Sequence, residues 1–207
     1  TGHAPEELVA GQLFIVKTRG VSADADAIKT VSGVAATLGQ GAVRSGKESP
    51  GTRGKMMALL RAKLIEGQTY VEAQDRAAAD AEQDAPSRDL ALDAIAAVLR
   101  GDLPLVVTAH RAQDIASALR LAAEFKLKLV LDGAAEAYLM LDEIKASGFP
   151  VSLHATMKRS VGDAENLSFM TAAKLHAAGI PFAIQSGYES YVPKTRVVLF
   201  EAALAAS

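Results

Sequence analysis

The sequence predicts an α/β fold with a mainly parallel β-sheet. Short apolar runs alternate with stretches of helical periodicity, which favours strands covered by helices. The strand starts in the second half lie roughly 20–30 residues apart, which is the size of a strand–helix unit with short connections. A glycine and a proline recur at three of these boundaries, which marks where helices end and strands begin.

Four apolar runs in the second half are predicted strands. Gly101, Gly148 and Gly179 each follow a helical pattern, where glycine readily adopts a left-handed cap. A proline comes two or three residues later, where a strand can begin without a free N–H. The four runs cover residues 105–109, 128–132, 151–154 and 182–185.

Helices separate these strands, and two more precede them. Apolar residues recur at helical spacing through Ile115 and Leu119, through Tyr138, Leu141 and Ile144, and through Phe169, Ala172 and Leu175. The two earlier helices are predicted over residues 53–82 and 87–100, with Pro86-Ser87 as break and cap.

The first half is less regular. Residues 13–18 read as a fifth buried strand, and residues 20–54 are predicted to form a long irregular loop because they are rich in Gly, Ser and polar residues. We treat residues 1–207 as one domain. About five strands fall short of the eight of a closed barrel, so the prediction is an incomplete (β/α)8 TIM-barrel fold. An open, doubly wound sheet is the alternative.

Composition excludes several classes of function. The 207 residues are 50% hydrophobic, enough for a substantial core, and contain no cysteine, which excludes disulfides, thiolate nucleophiles and zinc–thiolate sites. The net charge of −2 argues against a globally basic nucleic-acid binder. No apolar stretch is long enough to span a membrane and no signal peptide is evident. The sequence leaves the compartment undetermined, with the cytoplasm as the favoured expectation.

Several motifs carry a family resemblance. The segment Thr108-Ala-His-Arg-Ala-Gln-Asp-Ile115 and the following Leu129-Val-Leu-Asp-Gly133 with Glu136-Ala-Tyr138 resemble amidohydrolases related to imidazolonepropionase. Ile184-Gln-Ser-Gly-Tyr188 continues the likeness, which is specific after about residue 103 and looser before it, at residues 11–20 and Thr52-Arg53.

The resemblance implies a (β/α)8 barrel that lacks its beginning and end. Such enzymes hold one or two divalent metals at the carboxyl ends of the strands, where the metal activates a water that attacks an amide-type carbon. This sequence departs from that pattern. Thr108 stands where a His is expected, Asp132 stands where many relatives have His, and residues 185–187 replace a Thr-Asp pair.

The remaining candidates follow predicted strands and should therefore share one rim. His110, Asp132 and His154 are predicted metal ligands, with Asp132 and His154 also as catalytic groups. Helix capping competes with function at Asp132. The residues predicted to bind substrate are Arg111, Gln185, Tyr188 and Glu189, with Tyr191 in the same loop.

Further residues have simpler interpretations. Arg111 could instead pair with Asp114, and Lys17 is a surface or ion-paired lysine more readily than a carboxylated metal bridge. His176 is predicted to lie on a helix surface, and His3 is assigned no role.

Two functions from different classes follow. The first is metal-dependent hydrolysis of a C–N bond in a small molecule, with zinc as the expected metal if the protein is active. The second is a catalytically degenerate barrel that binds a small molecule or a partner, without any metal. An incomplete barrel exposes a sheet edge, so we expect a homo-oligomer or association with the missing segments, and no nucleic-acid or membrane partner.

Overall fold

The computed structural model describes residues 7–17, 22, 24–43, 50–186, 188–189, 192–193 and 195–206. The strands are β1 (Val9–Val16), β2 (Ala27–Thr37), β3 (Leu105–Ala109), β4 (Leu129–Gly133), β5 (Val151–Leu153), β6 (Phe182–Ile184), β7 (Tyr188–Glu189) and β8 (Val192–Pro193). The helices are α1 (Arg53–Ala79), α2 (Leu90–Leu99), α3 (Ala112–Phe125), α4 (Leu141–Ser147), α5 (Thr171–Ala178) and α6 (Val198–Ala206). Among these residues, no helix is long and apolar enough to cross a membrane.

The main sheet has six strands in the order β1-β2-β3-β4-β5-β6. The last five run parallel, whereas β1 pairs antiparallel with β2. The strand order never reverses, and right-handed crossovers therefore place all the helices on one face. This topology contradicts the doubly wound alternative, which needs a reversal of strand order and helices on both faces. Within the described chain the sheet is open, so an α/β fold is confirmed but a complete barrel is not seen.

The core lies between the sheet and the helices. Alternate residues of the parallel strands, such as Leu105, Val107 and Leu131, are 0–1% exposed and pack with the apolar faces of α1, α2 and α3. Because side chains alternate across a strand, Val106, Thr108 and Asp132 lie on the opposite face, which we call the open face.

The four predicted strands of the second half are confirmed within a residue or two. The prediction for residues 20–54 is wrong, because this stretch contains the whole of β2. Its buried part, Val34 to Ala36, is made of small residues that are 0% exposed, so the sequence shows no hydrophobic alternation. Gly33 is required there, because a Cβ would lie 2.9 Å from the Pro104 carbonyl oxygen. The strand predicted at residues 13–18 is the antiparallel edge strand β1.

The helices also differ from prediction at their boundaries. Asp89, rather than Ser87, caps α2, since its carboxylate accepts the N–H groups of Ala91 and Leu92 at 2.8 and 3.0 Å. The helix expected through Tyr138 and Ile144 is divided into a 3-10 turn at Ala137–Leu139 and α4.

Candidate active site at the carboxyl ends of the strands

A row of polar side chains crosses the open face near the carboxyl ends of the strands. Thr108 of β3 is in register with Asp132 of β4, which is in register with Ser152 of β5. The Thr108 hydroxyl donates to Asp132 Oδ2 at 2.7 Å, and Gln185 Nε2 donates to Asp132 Oδ1 at 2.9 Å. Gln185 Nε2 also lies 3.2 Å from the Ser152 carbonyl oxygen.

Asp132 is therefore held as an acceptor on both oxygens. It does not cap a helix in the hydrogen bonds of the described residues, because its carboxylate faces neighbouring strands instead. Thr108 and Gln185, which stand at two of the positions where the resembled family has other residues, are the donors. The residues that differ from the resembled family's pattern, Thr108, Asp132 and Gln185, are thus connected to one another by hydrogen bonds.

His110 follows β3 directly, and its ring lies against Gly133 at the end of β4. A Cβ on Gly133 would come within 2.5 Å of His110 Cε1, so glycine makes room for the ring. Lys158 Nζ lies 3.4 Å from His110 Nε2, and an ammonium group can only donate. The Nδ1 atom is buried without a hydrogen-bond partner.

The environment of His110 keeps its ring neutral. Burial is the main cause, and the nearby charge of Lys158 adds to it, so that the pKa of His110 falls to about 3. The Asp132 carboxylate acts in the opposite direction but does not compensate. With Nε2 accepting from Lys158, the neutral ring carries its proton on Nδ1.

His154 follows β5 and is 3% exposed. Its backbone N–H donates to the Gly133 carbonyl oxygen at 2.8 Å, which extends the ladder one residue beyond the strand. Its Nδ1 lies 2.8 Å from the Ala155 carbonyl oxygen and must therefore be the protonated nitrogen. Burial lowers the pKa of His154. Its Nε2 atom is consequently a buried acceptor, and it has no partner.

His110, His154 and Lys158 are close enough to influence one another electrostatically. The charge of Lys158 lowers the pKa of both histidines. The site therefore combines a neutral ring with a free donor, a neutral ring with a free acceptor, and an ammonium group. Both unpartnered nitrogens are buried and are not accessible from solvent in this structure.

The donor atoms of these residues decide whether they can bind a metal. His110 and His154 each offer one buried nitrogen without a partner, which suits a metal ligand by type. Both oxygens of Asp132 already accept hydrogen bonds, however. Across the described residues, no group of three or more His, Asp or Glu side chains could hold a metal ion. The described residues do not by themselves form a metal site.

Arg111 lies in an ion network beside this site. Its guanidinium donates to Glu136 at 3.1 Å and to Glu165 at 2.6 Å, and these hydrogen bonds raise its pKa. The expected pair with Asp114 is wrong, because Arg53 Nε contacts that carboxylate at 3.0 Å. The main structural partners of Arg111 therefore come from the ends of β4 and β5.

A cavity of about 600 Å³ opens at this network. The residues lining it come from the segments that follow β2, β3, β4 and β5, so it lies at the same edge of the sheet as the histidines, but His110, Asp132 and His154 do not line it. The charged and amide side chains around it include Gln40, Arg53, Arg111, Glu136, Asp163 and Glu165.

The other residues singled out in the sequence either lie away from this cluster or fall outside the described residues. Tyr188 and Glu189 form β7, which pairs antiparallel with β8, and Tyr191 and His3 lie outside the described residues. His176 is exposed on α5, as expected. Lys17 follows β1, whose antiparallel direction places it at the opposite end of the sheet, so it cannot bridge metals at the rim.

The chain resembles an amidohydrolase. It matches the structure of an amidohydrolase from Thermotoga maritima MSB8 with a TM-score of 0.91 and 25% sequence identity, over 99% of this chain and 53% of that chain. This match supports a relationship to the amidohydrolase superfamily, and the chain spans about half the length of that relative. No family model and no curated protein matches the sequence.

Sequence reasoning did not find Lys158, Ser152 or Glu136 as parts of the site. Lys158 follows β5 by five residues and could have been identified as another strand-end residue. Ser152 alternates with two buried residues on β5, and that alternation places it on the open face next to Asp132. The partners of Glu136 come from distant segments and leave no local signal.

Proposed function

We propose that this chain forms part of an amidohydrolase-type hydrolase that cleaves a C–N bond in a small molecule. The observation that carries the proposal is the match to an amidohydrolase over 99% of the chain, with His110, Asp132 and His154 at the rim where such a fold places its chemistry. An imidazolonepropionase-like substrate, such as a cyclic amide, is the finer form of the proposal.

The proposed roles follow from protonation states. The Nε2 of His154 is a buried acceptor without a partner, and we propose that it accepts a proton from an attacking water, or an N–H of the substrate, once that molecule reaches it. The His110 Nδ1–H group, beside Lys158, is suited to donate to the oxygen of the amide carbonyl. Asp132 orients Thr108 and Gln185, and its pairing weakens its proposed role as a base.

Substrate contacts are proposed at the surrounding loops. Gln185 is positioned by Asp132, while Arg111 borders the cavity and its guanidinium is held between the carboxylates of Glu136 and Glu165. Tyr188 and Glu189 are proposed to contact the substrate from β7. A divalent metal, with zinc as the first candidate, would need further ligands in addition to the described residues. The roles proposed for His110, His154 and the substrate-binding residues do not depend on a metal.

A second function is favoured by one observation. Both oxygens of Asp132 accept hydrogen bonds, one from Thr108 and one from Gln185. Thr108 and Gln185 stand at positions where this sequence departs from the pattern of the resembled family. A carboxylate whose two oxygens both accept hydrogen bonds from neighbouring side chains has little freedom to turn toward a metal or a substrate. We therefore propose as the second candidate a degenerate barrel that binds a small amide-like molecule without cleaving it.

One experiment separates the two candidates. The purified chain is incubated with a panel of linear amides, cyclic amides and N-acyl amino acids, in buffer alone, with added Zn²⁺ and with a chelator. Release of amine or acid supports the hydrolase. Thermal stabilisation by a panel member without product formation supports the binding module. Neither product nor stabilisation contradicts both.

Association is a separate proposal that rests on the open sheet. Among the described residues no helix covers the open face, and the side chains of Leu199 and Phe200 on α6 are 79% and 66% exposed. Parallel sheets are normally covered on both faces, so we expect the chain to self-associate or to pair with further barrel segments. A monodisperse monomer in light scattering at high concentration would contradict this.

A further inference from the structure

The helix α6 buries a charged side chain and exposes apolar ones. Glu201 is 0% exposed, while the adjacent Leu199 and Phe200 face solvent. Residues one and two positions apart lie on different sides of a helix, and rotating α6 about its axis would exchange them. Burying a carboxylate while exposing two large apolar side chains is costly, and the specific contacts of Glu201 offset part of this cost.

Those contacts all go to the loop after β5. Glu201 Oε2 accepts the backbone N–H of Met157 at 2.7 Å. The backbone carbonyl oxygen of Glu201 accepts the hydroxyl of Thr156 at 2.9 Å, and Thr156 is itself buried. One residue of α6 thus binds two consecutive residues of that loop.

The loop contacted by Glu201 carries two of the site residues. His154 and Lys158 lie at the ends of the five-residue turn 154–158. The Ala155 carbonyl oxygen contacts His154 Nδ1 at 2.8 Å and accepts the backbone N–H of Lys158 at 3.2 Å. Glu201 bonds to the two residues between Ala155 and Lys158, so its loss would release the middle of this turn.

We propose that Glu201 is a positioning residue that fixes the turn 154–158, and with it the direction of His154 Nε2 and of Lys158. Its effect on hydrolysis rests on the proposed function, whereas its effect on the turn does not. Glu201 Oε1 has no hydrogen-bond partner in the structure. One carboxylate oxygen is therefore sufficient for the contact with Met157, and an amide oxygen could replace it.

The test compares Glu201→Ala with Glu201→Gln, and with Glu143→Gln as a control at an exposed glutamate on α4. Backbone hydrogen exchange is followed at Met157, and the ring nitrogens of His154 are followed by NMR. Glu201→Ala should speed exchange at Met157 about 10-fold or more and shift the His154 ring signals, because a hydrogen bond to a charged acceptor is lost. Glu201→Gln should stay within about 3-fold of the parent, and Glu143→Gln should change neither.

If Glu201→Ala does not fold, a second variant still tests the proposal. Thr156→Val deletes the second contact without touching the carboxylate, and it should also speed exchange in the turn while leaving Met157 bonded to Glu201. Unchanged exchange and unchanged His154 signals in folded Glu201→Ala would overturn the proposal. Equal effects of Glu201→Ala and Glu201→Gln would also overturn it.

Activity is a further readout. With any substrate that the chain hydrolyses, Glu201→Ala should lower kcat about 10-fold or more with little change in KM, and Glu201→Gln should restore most of it. If no substrate is hydrolysed by the parent chain, the proposed function fails, but the exchange experiment still decides whether Glu201 fixes the turn.

Discussion

Replacing Gly133 by Ala should destabilise the fold and displace the His110 ring. Gly133 has φ +78, a conformation that costs an L-residue about 1–2 kcal/mol. The new Cβ would lie 2.5 Å from His110 Cε1 and 3.0 Å from both ring nitrogens, and such overpacking typically costs about 1–3 kcal/mol. The sum is about 2–5 kcal/mol of unfolding free energy.

Urea unfolding, followed by circular dichroism, measures this loss. Gly148→Ala is the matched control, because Gly148 has φ +69 but a Cβ there would meet no atom within 4 Å. The difference between the two variants isolates the contact with His110. Adding His110→Ala to Gly133→Ala should recover about 1–3 kcal/mol. If Gly133→Ala costs no more than Gly148→Ala, His110 does not lie where the structure places it.

Three other predictions concern packing, pH and charge. In α1, Gly67→Ala should lose about 1–3 kcal/mol in urea unfolding because its Cβ would overlap Ile95, whereas Gly54→Ala, with open space, should gain up to about 1 kcal/mol. Because the pKa of His110 is lowered to about 3 on folding, its contribution to stability is present above its unfolded pKa and is lost as pH falls toward 3. Stability should therefore vary by up to about 1.4 kcal/mol per pH unit in that window, and His110→Gln should flatten the profile. Arg53→Ala should cost about 1–3 kcal/mol of unfolding free energy, because the buried Asp114 carboxylate loses its ion pair, and this range is already lowered for the partial exposure of Arg53. Adding Asp114→Asn to Arg53→Ala should recover part of this loss, measured by thermal unfolding.

The sequence predicted the strand–helix alternation because its signals are local. Glycine caps and prolines mark the ends of α4 and α5, and both Gly148 and Gly179 adopt the positive φ expected of such caps. β2 escaped prediction because its core positions are filled by alanine and valine between two neighbouring strands. The small size of these residues follows from close strand and helix packing, which only the tertiary structure reveals.

The site was predicted in outline for a topological reason. Residues that follow parallel strands meet at one edge of the sheet, so the order of the strands was enough to bring His110, Asp132 and His154 together. Their partners were not predictable in the same way. The bond from Gln185 to Asp132 joins residues 53 positions apart, and the bond from Glu201 to Met157 depends on the rotation of α6.

The most direct test of the account is the rate of amide hydrolysis by His154→Gln relative to His176→Gln. The first variant removes the buried Nε2 acceptor, while the second changes an exposed histidine on α5. We expect His154→Gln to lose activity on the order of 100-fold or more, because a group that transfers a proton is lost, and His176→Gln to keep the parental rate. Equal rates for the two variants would contradict a catalytic site at the carboxyl ends of β3, β4 and β5.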